Sequence, residues 1–137
     1  MLLGWTSING EISLIPIILY LGAIFWTLGY DTIYGFQDIE DDEIIGVKST
    51  SIKFKQNPKI FLSICYLIFT SVFVIIGIKL SFNYYFFIGA MAVLFHLFVI
   101  QIMSFNKENK EKCLEIFKGN NVLGLIILIC ILIGKLN

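Results

Sequence analysis

The stretch IFLSICYLIFTSVFVIIGI, residues 60–78, runs nineteen residues without a charge. A helix crossing the hydrocarbon of a bilayer needs about 20 predominantly apolar residues. The run shows no strict two-residue alternation of a membrane barrel strand. It also lacks the polar stripe of a helix in a soluble bundle. Apolar on every side, it reads as a membrane span.

Three more stretches follow from it in both directions. Residues 12–30 carry no charge, residues 84–103 carry none beyond what His96 can take, and residues 122–134 are shorter but extend to Leu136 across Lys135. The chain is 58% hydrophobic over 137 residues, above the 45–50% usual for a soluble domain. The fold class expected is all-α, a polytopic transmembrane helical bundle of about four spans. The spans are placed at about 12–34, 60–79, 84–104 and 120–136, within a single membrane domain, 1–137.

Charge orients the bundle. Lysines cluster in residues 37–59 (Lys48, Lys53, Lys55, Lys59) and 104–121 (Lys107, Lys110, Lys112, Lys118), and the connection between spans two and three has only Lys79. The positive-inside rule puts both clusters, as loops, on the cytoplasmic side of an inner membrane. Net charge is zero and gives nucleic acid no basic surface to bind. The three cysteines, Cys65, Cys113 and Cys130, form no CxxC and are expected to pack as free thiols. No basic n-region or cleavage pattern marks a signal peptide. The sequence reads as the later part of a longer fold.

The chemistry is concentrated in YDTIYGFQDIEDDEIIGVKST, residues 30–50. If the first span continues as one helix past Tyr30, Asp31, Tyr34, Asp38, Asp41 and Asp42 fall within an arc of roughly 100°, with Glu40 and Glu43 outside it. Like charges at i, i+4 oppose a helix, and charge near a membrane boundary is expensive. A cation relieves both. Carboxylates suit Mg²⁺, which takes one or two of them and completes its shell with water and phosphate oxygens. The segment therefore predicts a phosphorylated substrate at the membrane edge. The chain has no arginine, so Lys48 is the cation at hand for phosphate. The plainer alternative is a solvated acidic loop. A calcium loop is disfavoured, because the D-x-[DN]-x-[DN]-G pattern is missing. A transporter is also the weaker reading, since the acids cluster at a span's end and no span breaks at its midplane.

This segment resembles the second aspartate-rich motif of the UbiA superfamily of intramembrane prenyltransferases, nearest the 4-hydroxybenzoate polyprenyltransferases of ubiquinone synthesis. The residues that carry it are Tyr30 to Tyr34, Asp38, Asp41, Asp42 and Gly46 to Thr50. Leu3-Gly4-Trp5, Cys113 to Lys118, Asn120, Asn121 and Gly124 add to it. The resemblance implies the C-terminal part of a nine-helix fold. It implies Mg²⁺ held by Asp38, Asp41 and Asp42, with Asp38 and Asp42 as the principal pair. Asp31, Tyr34 and Lys48 are implied as catalytic residues near the diphosphate or the ring. The reaction implied moves a polyprenyl group from polyprenyl diphosphate onto 4-hydroxybenzoate, ortho to the phenol. The first motif, NDxxDxxxD, is absent from the chain. A separate N-terminal half is therefore an expected partner, beside the lipid bilayer. The other expectation is a non-catalytic membrane remnant or half-subunit. His96 and Gln101, polar groups within span three, are expected to hydrogen-bond between helices. Gly22 and Gly29 are expected to let helices approach closely.

Overall fold

The computed structural model describes Gly10 and residues 13–136. Residues 11 and 12, at the expected start of span one, and Leu3-Gly4-Trp5 lie outside the described residues. The described chain is all-helical. α1 (Leu14–Tyr34) is followed by two short helices, α2 (Ile39–Ile45) and α3 (Thr50–Lys53). Then come α4 (Pro58–Lys79), α5 (Tyr84–Phe95, continuing as a π-helix over His96–Met103) and α6 (Lys110–Lys135). Four helices are long and apolar enough to cross a membrane: α1, α4, α5 with its π-helical extension, and α6.

The spans form an antiparallel ring in which α1 packs on α4, α4 on α5, α5 on α6 and α6 on α1. Between membrane helices lipid removes most of the hydrophobic driving force, so close approach and hydrogen bonds must hold the ring. Glycine supplies the approach between α1 and α4. A Cβ at Gly29 would run into Tyr66 Cε1, and one at Gly22 would stand 2.7 Å from Val72 Cγ1. Cys65, Cys113 and Cys130 are free and buried among apolar neighbours.

Both lysine-rich segments lie at one end of the ring. Lys110 Nζ donates to Glu40, Lys55 Nζ to Glu43, and Lys107 Nζ to the Lys55 carbonyl. At the other end Asn83 donates to the carbonyls of Ile133 and Leu136, each at 2.8 Å, closing the C-terminus of α6.

Two boundaries differ from the sequence reading. The helix of the fourth span, α6, begins at Lys110, so most of the segment 104–121 is helical and not a loop. Asn109 starts it by accepting the Lys112 N–H at 2.9 Å, and Cys113 and Ile116 then bury against the core. The segment 37–59 likewise contains α2 and α3.

Candidate functional site

The first span does not run on as one helix through the acidic segment. It ends at Tyr34, where the Gly35 N–H bonds the Asp31 carbonyl and the Gln37 N–H bonds that of Tyr34. The cause is Phe36, which is 2% exposed and turns inward to meet the Phe105 ring at 5.3 Å. The single arc drawn over residues 31–42 is therefore split. Asp31 and Tyr34 sit on the last turn of α1. Asp38 is the N-cap residue of α2, and Asp41 and Asp42 lie in its first turn.

Within α2 the split between the two acid types persists. Asp38, Asp41 and Asp42 stand at i, i+3 and i+4, which is one helix face. Glu40 and Glu43 stand apart and are neutralised by Lys110 and Lys55. Among the described residues no lysine pairs with Asp31, Asp38, Asp41 or Asp42. The Asp38 side chain makes no capping bond either. Acids in a first turn do favour the helix dipole, and that accounts for part of their presence.

The returning segment is fixed to α1. Gly46 takes a left-handed conformation, φ 77°, and the Val47 N–H closes on the Asp42 carbonyl at 2.9 Å. Ser49 caps α3 by accepting from Ile52 N. Thr50 Oγ1 lies 2.7 Å from Thr32 Oγ1, which itself donates to the Leu28 carbonyl. Ser51 is buried against Gly35, where a Cβ would collide with its Oγ. Lys48 is thus held between Val47, bonded to Asp42, and Thr50, bonded beside Asp31. It is exposed.

An aromatic wall climbs from the acids along the α1–α6 seam. Tyr34 and Phe117 rings are 4.6 Å apart, Phe117 and Tyr30 5.7 Å, and Tyr30 and Trp26 5.7 Å. A groove of about 300 Å³ opens there, lined by Trp26, Tyr30, Phe117, Asn120, Asn121 and Gly124. Beneath it lies a hydrogen-bonded chain with one side chain from each span. Tyr66 OH (α4) donates to Gln101 Oε1 (α5), and Gln101 Nε2 to Asn120 Oδ1 (α6) at 3.0 Å. Trp26 Nε1 (α1) donates to the same Asn120 oxygen at 3.0 Å. Gln101 lies in the π-helical turn, and its neighbours Leu97 and Ile102 are buried with it.

The wall and the role of Tyr66 were not anticipated from sequence. The signal was available for Tyr66, a polar group inside an apolar run that must find a partner, and Asn120 stands at the expected start of the fourth span. The interhelical bonds expected of His96 and Gln101 fall to Gln101. His96 enters no side-chain hydrogen bond among the described residues.

A family model described as the UbiA prenyltransferase family matches residues 1–128. The chain belongs to the UbiA prenyltransferase family. The mitochondrial 4-hydroxybenzoate polyprenyltransferase of Dictyostelium discoideum is 37% identical over 136 residues, covering 98% of this chain and 29% of that protein. Those of Bos taurus and Homo sapiens are 35% and 36% identical, each with 98% of this chain and 36% of the relative covered. The chain thus spans about a third of the length of the curated relatives it matches. No solved structure matches it.

The donor set suits Mg²⁺ in chemistry. Three outward-facing aspartates, without ion pairs among the described residues, offer hard oxygens. No three His, Cys, Asp or Glu groups converge on one point among the described residues. Mg²⁺ held partly by substrate phosphate needs only one or two carboxylates.

Proposed function

We propose that this UbiA-family chain supplies the diphosphate-binding half of a prenyltransferase that moves a polyprenyl group from polyprenyl diphosphate to 4-hydroxybenzoate in ubiquinone synthesis. The observation that carries this reading is the division of the acids. Lysines neutralise both glutamates, and among the described residues no lysine pairs with the aspartate face at the membrane edge. The helix dipole favours acids in that first turn but pairs none of them, and a cation with a phosphorylated substrate gives the face a purpose.

In this reading Asp38, Asp41 and Asp42 hold Mg²⁺, which when bound stabilises charge on the departing diphosphate. Lys48 adds positive charge for the phosphate oxygens. The allylic C–O bond breaks and its electron pair leaves with the diphosphate. The ring carbon ortho to the phenol forms the new C–C bond and then loses its proton. In this reading Asp31, beside Tyr30 and one turn from Tyr34, takes it. Trp26, Tyr30, Tyr34 and Phe117 keep water from the cationic carbon and present aromatic faces to it. The remainder of the family fold, bearing the first aspartate-rich motif, completes the site. The lysine asymmetry supports an inner membrane with the acidic end on the cytoplasmic side.

The test is reconstitution with Mg²⁺, a polyprenyl diphosphate and 4-hydroxybenzoate, with and without an N-terminal half from a family member. Product only in the combined sample supports the reading, and Asp38→Ala should abolish it. A second reading, a non-catalytic remnant, draws on the lack of a converged ligand group among the described residues. It predicts no product in either sample.

A further inference from the structure

We infer that the seam between α4 and α5 binds one anionic phospholipid, with its phosphodiester headgroup between Lys59 and Lys107 and an acyl chain along the two helices. This seam lies across the ring from the α1–α6 groove, and the inference does not rest on the proposed transfer reaction.

Two hollows lie on one line. The first, about 550 Å³, sits at the lysine-rich end where α4 begins and α5 has just ended. Lys59, Lys107, Asn57 and Asn106 give it polar walls, and Ile60 and Phe105 give it an apolar floor. Among the described residues no acid lines it. Glu40, Glu43 and Glu108 line the neighbouring hollow, which Lys107 also borders together with Lys55 and Lys110. Among the described residues Lys59 has no ion pair, and Lys107 reaches only the Lys55 carbonyl, at 3.5 Å. The hollow therefore holds two lysine charges with no acid between them.

The second hollow, about 470 Å³, lies deeper between the same helices. Leu67, Ser71 and Val74 of α4 face Phe87, Ala90 and Met91 of α5 across it. Ile60, Ile64, Leu67, Ser71 and Val74 recur at four and three residues, one continuous face of α4. Ile60, Ile64 and Leu67 are 62%, 51% and 51% exposed. From Ile60 to Ser71 the helix rises about 16 Å, close to half of the roughly 30 Å hydrocarbon layer. A charged head at the boundary, then an apolar groove as deep as one leaflet, matches a lipid of that leaflet. Basic hollows between spans on the positive side select anionic headgroups.

The chain in mild detergent, titrated with phosphatidylglycerol or phosphatidylcholine and read by native mass spectrometry, tests this. One phosphatidylglycerol should be retained roughly tenfold more tightly than phosphatidylcholine. Lys59→Gln with Lys107→Gln should remove that preference. Lys118→Gln with Lys135→Gln, the same charge lost elsewhere, should keep it. Ser71→Phe, at an exposed position that lines the deeper hollow, should lower retention of both lipids. Should the double variant fail to fold, Lys107→Gln alone, on the connection after α5, carries the test. A preference unchanged without Lys59 and Lys107, or lost equally in the control, overturns the site. Full displacement of the lipid by millimolar inorganic phosphate also overturns it, because the acyl chain would then contribute nothing.

Discussion

Gln101 donates its side-chain amide to Asn120 Oδ1 at 3.0 Å, both side chains buried between the spans toward their lysine-rich ends. That oxygen also takes the Trp26 indole N–H, and the Gln101 side-chain carbonyl takes the Tyr66 hydroxyl. A single acceptor thus joins α5 to α6 and α6 to α1, and Gln101 extends the chain to α4. Because Trp26 and Asn120 also line the α1–α6 groove, this chain sets the shape of the candidate site from behind.

Replacing Gln101 by leucine removes two interhelical bonds and strands the Tyr66 hydroxyl. The expected loss is about 1–3 kcal/mol, since membrane hydrogen bonds are individually modest but an unmet buried donor adds its own cost. Tyr66→Phe should cost less. In a double-mutant cycle by unfolding in mixed micelles the two changes should be clearly less than additive. Additive losses would mean that the two side chains act independently.

Gly29 makes a second prediction. Gly29→Leu drives a side chain into the Tyr66 ring, so it should separate α1 from α4 and cost about 1–3 kcal/mol. Gly119, in α6, stands in open space, and a Cβ there would meet nothing within 4 Å. Gly119→Ala should therefore be neutral or stabilise by up to about 1 kcal/mol through helix propensity. Equal thermal shifts for both variants would contradict the packing described.

The spans were legible because lipid imposes one simple rule, an apolar run about 20 residues long. The acidic segment was legible as chemistry but not as shape. A helical wheel assumes one axis, and the axis ends when Phe36 finds a place beside Phe105, a contact between residues far apart in sequence. The same limit hid the helical start of α6. Lys110, Lys112 and Lys118 make its first turns look like loop, and only the burial of Cys113 and Ile116 on the core brings Phe117 against Tyr34. The separation of aspartates from glutamates survived because it depends on local spacing within α2 alone.

The glutamates and aspartates should behave differently when neutralised. Glu43→Gln breaks an exposed pair with Lys55, and Glu40→Gln one with Lys110. Each should change stability by less than about 1 kcal/mol and leave activity of a complemented enzyme nearly intact. Asp38→Asn and Asp42→Asn remove no ion pair seen among the described residues, so stability should hold while activity falls at least a hundredfold. Turnover assays beside thermal melts separate the two effects. A glutamate variant as damaged in activity as an aspartate variant would shift the site to the lysine-paired face.

Metal binding offers a test that needs no turnover. Mn²⁺ takes oxygen ligands as Mg²⁺ does and is read directly by electron paramagnetic resonance. With the chain in detergent, inorganic diphosphate should promote Mn²⁺ binding, because phosphate oxygens complete a shell that one or two carboxylates begin. Asp42→Asn should weaken this diphosphate-dependent binding roughly tenfold, the scale of losing one carboxylate charge beside a divalent ion. Glu43→Gln, next in sequence but paired with Lys55, should leave it unchanged. Lys48→Gln should act through the diphosphate, weakening binding when diphosphate is present and not when Mn²⁺ is offered alone. If Asp42→Asn and Glu43→Gln weaken binding to the same degree, the metal senses only the net charge of α2, and the assignment of the aspartate face fails.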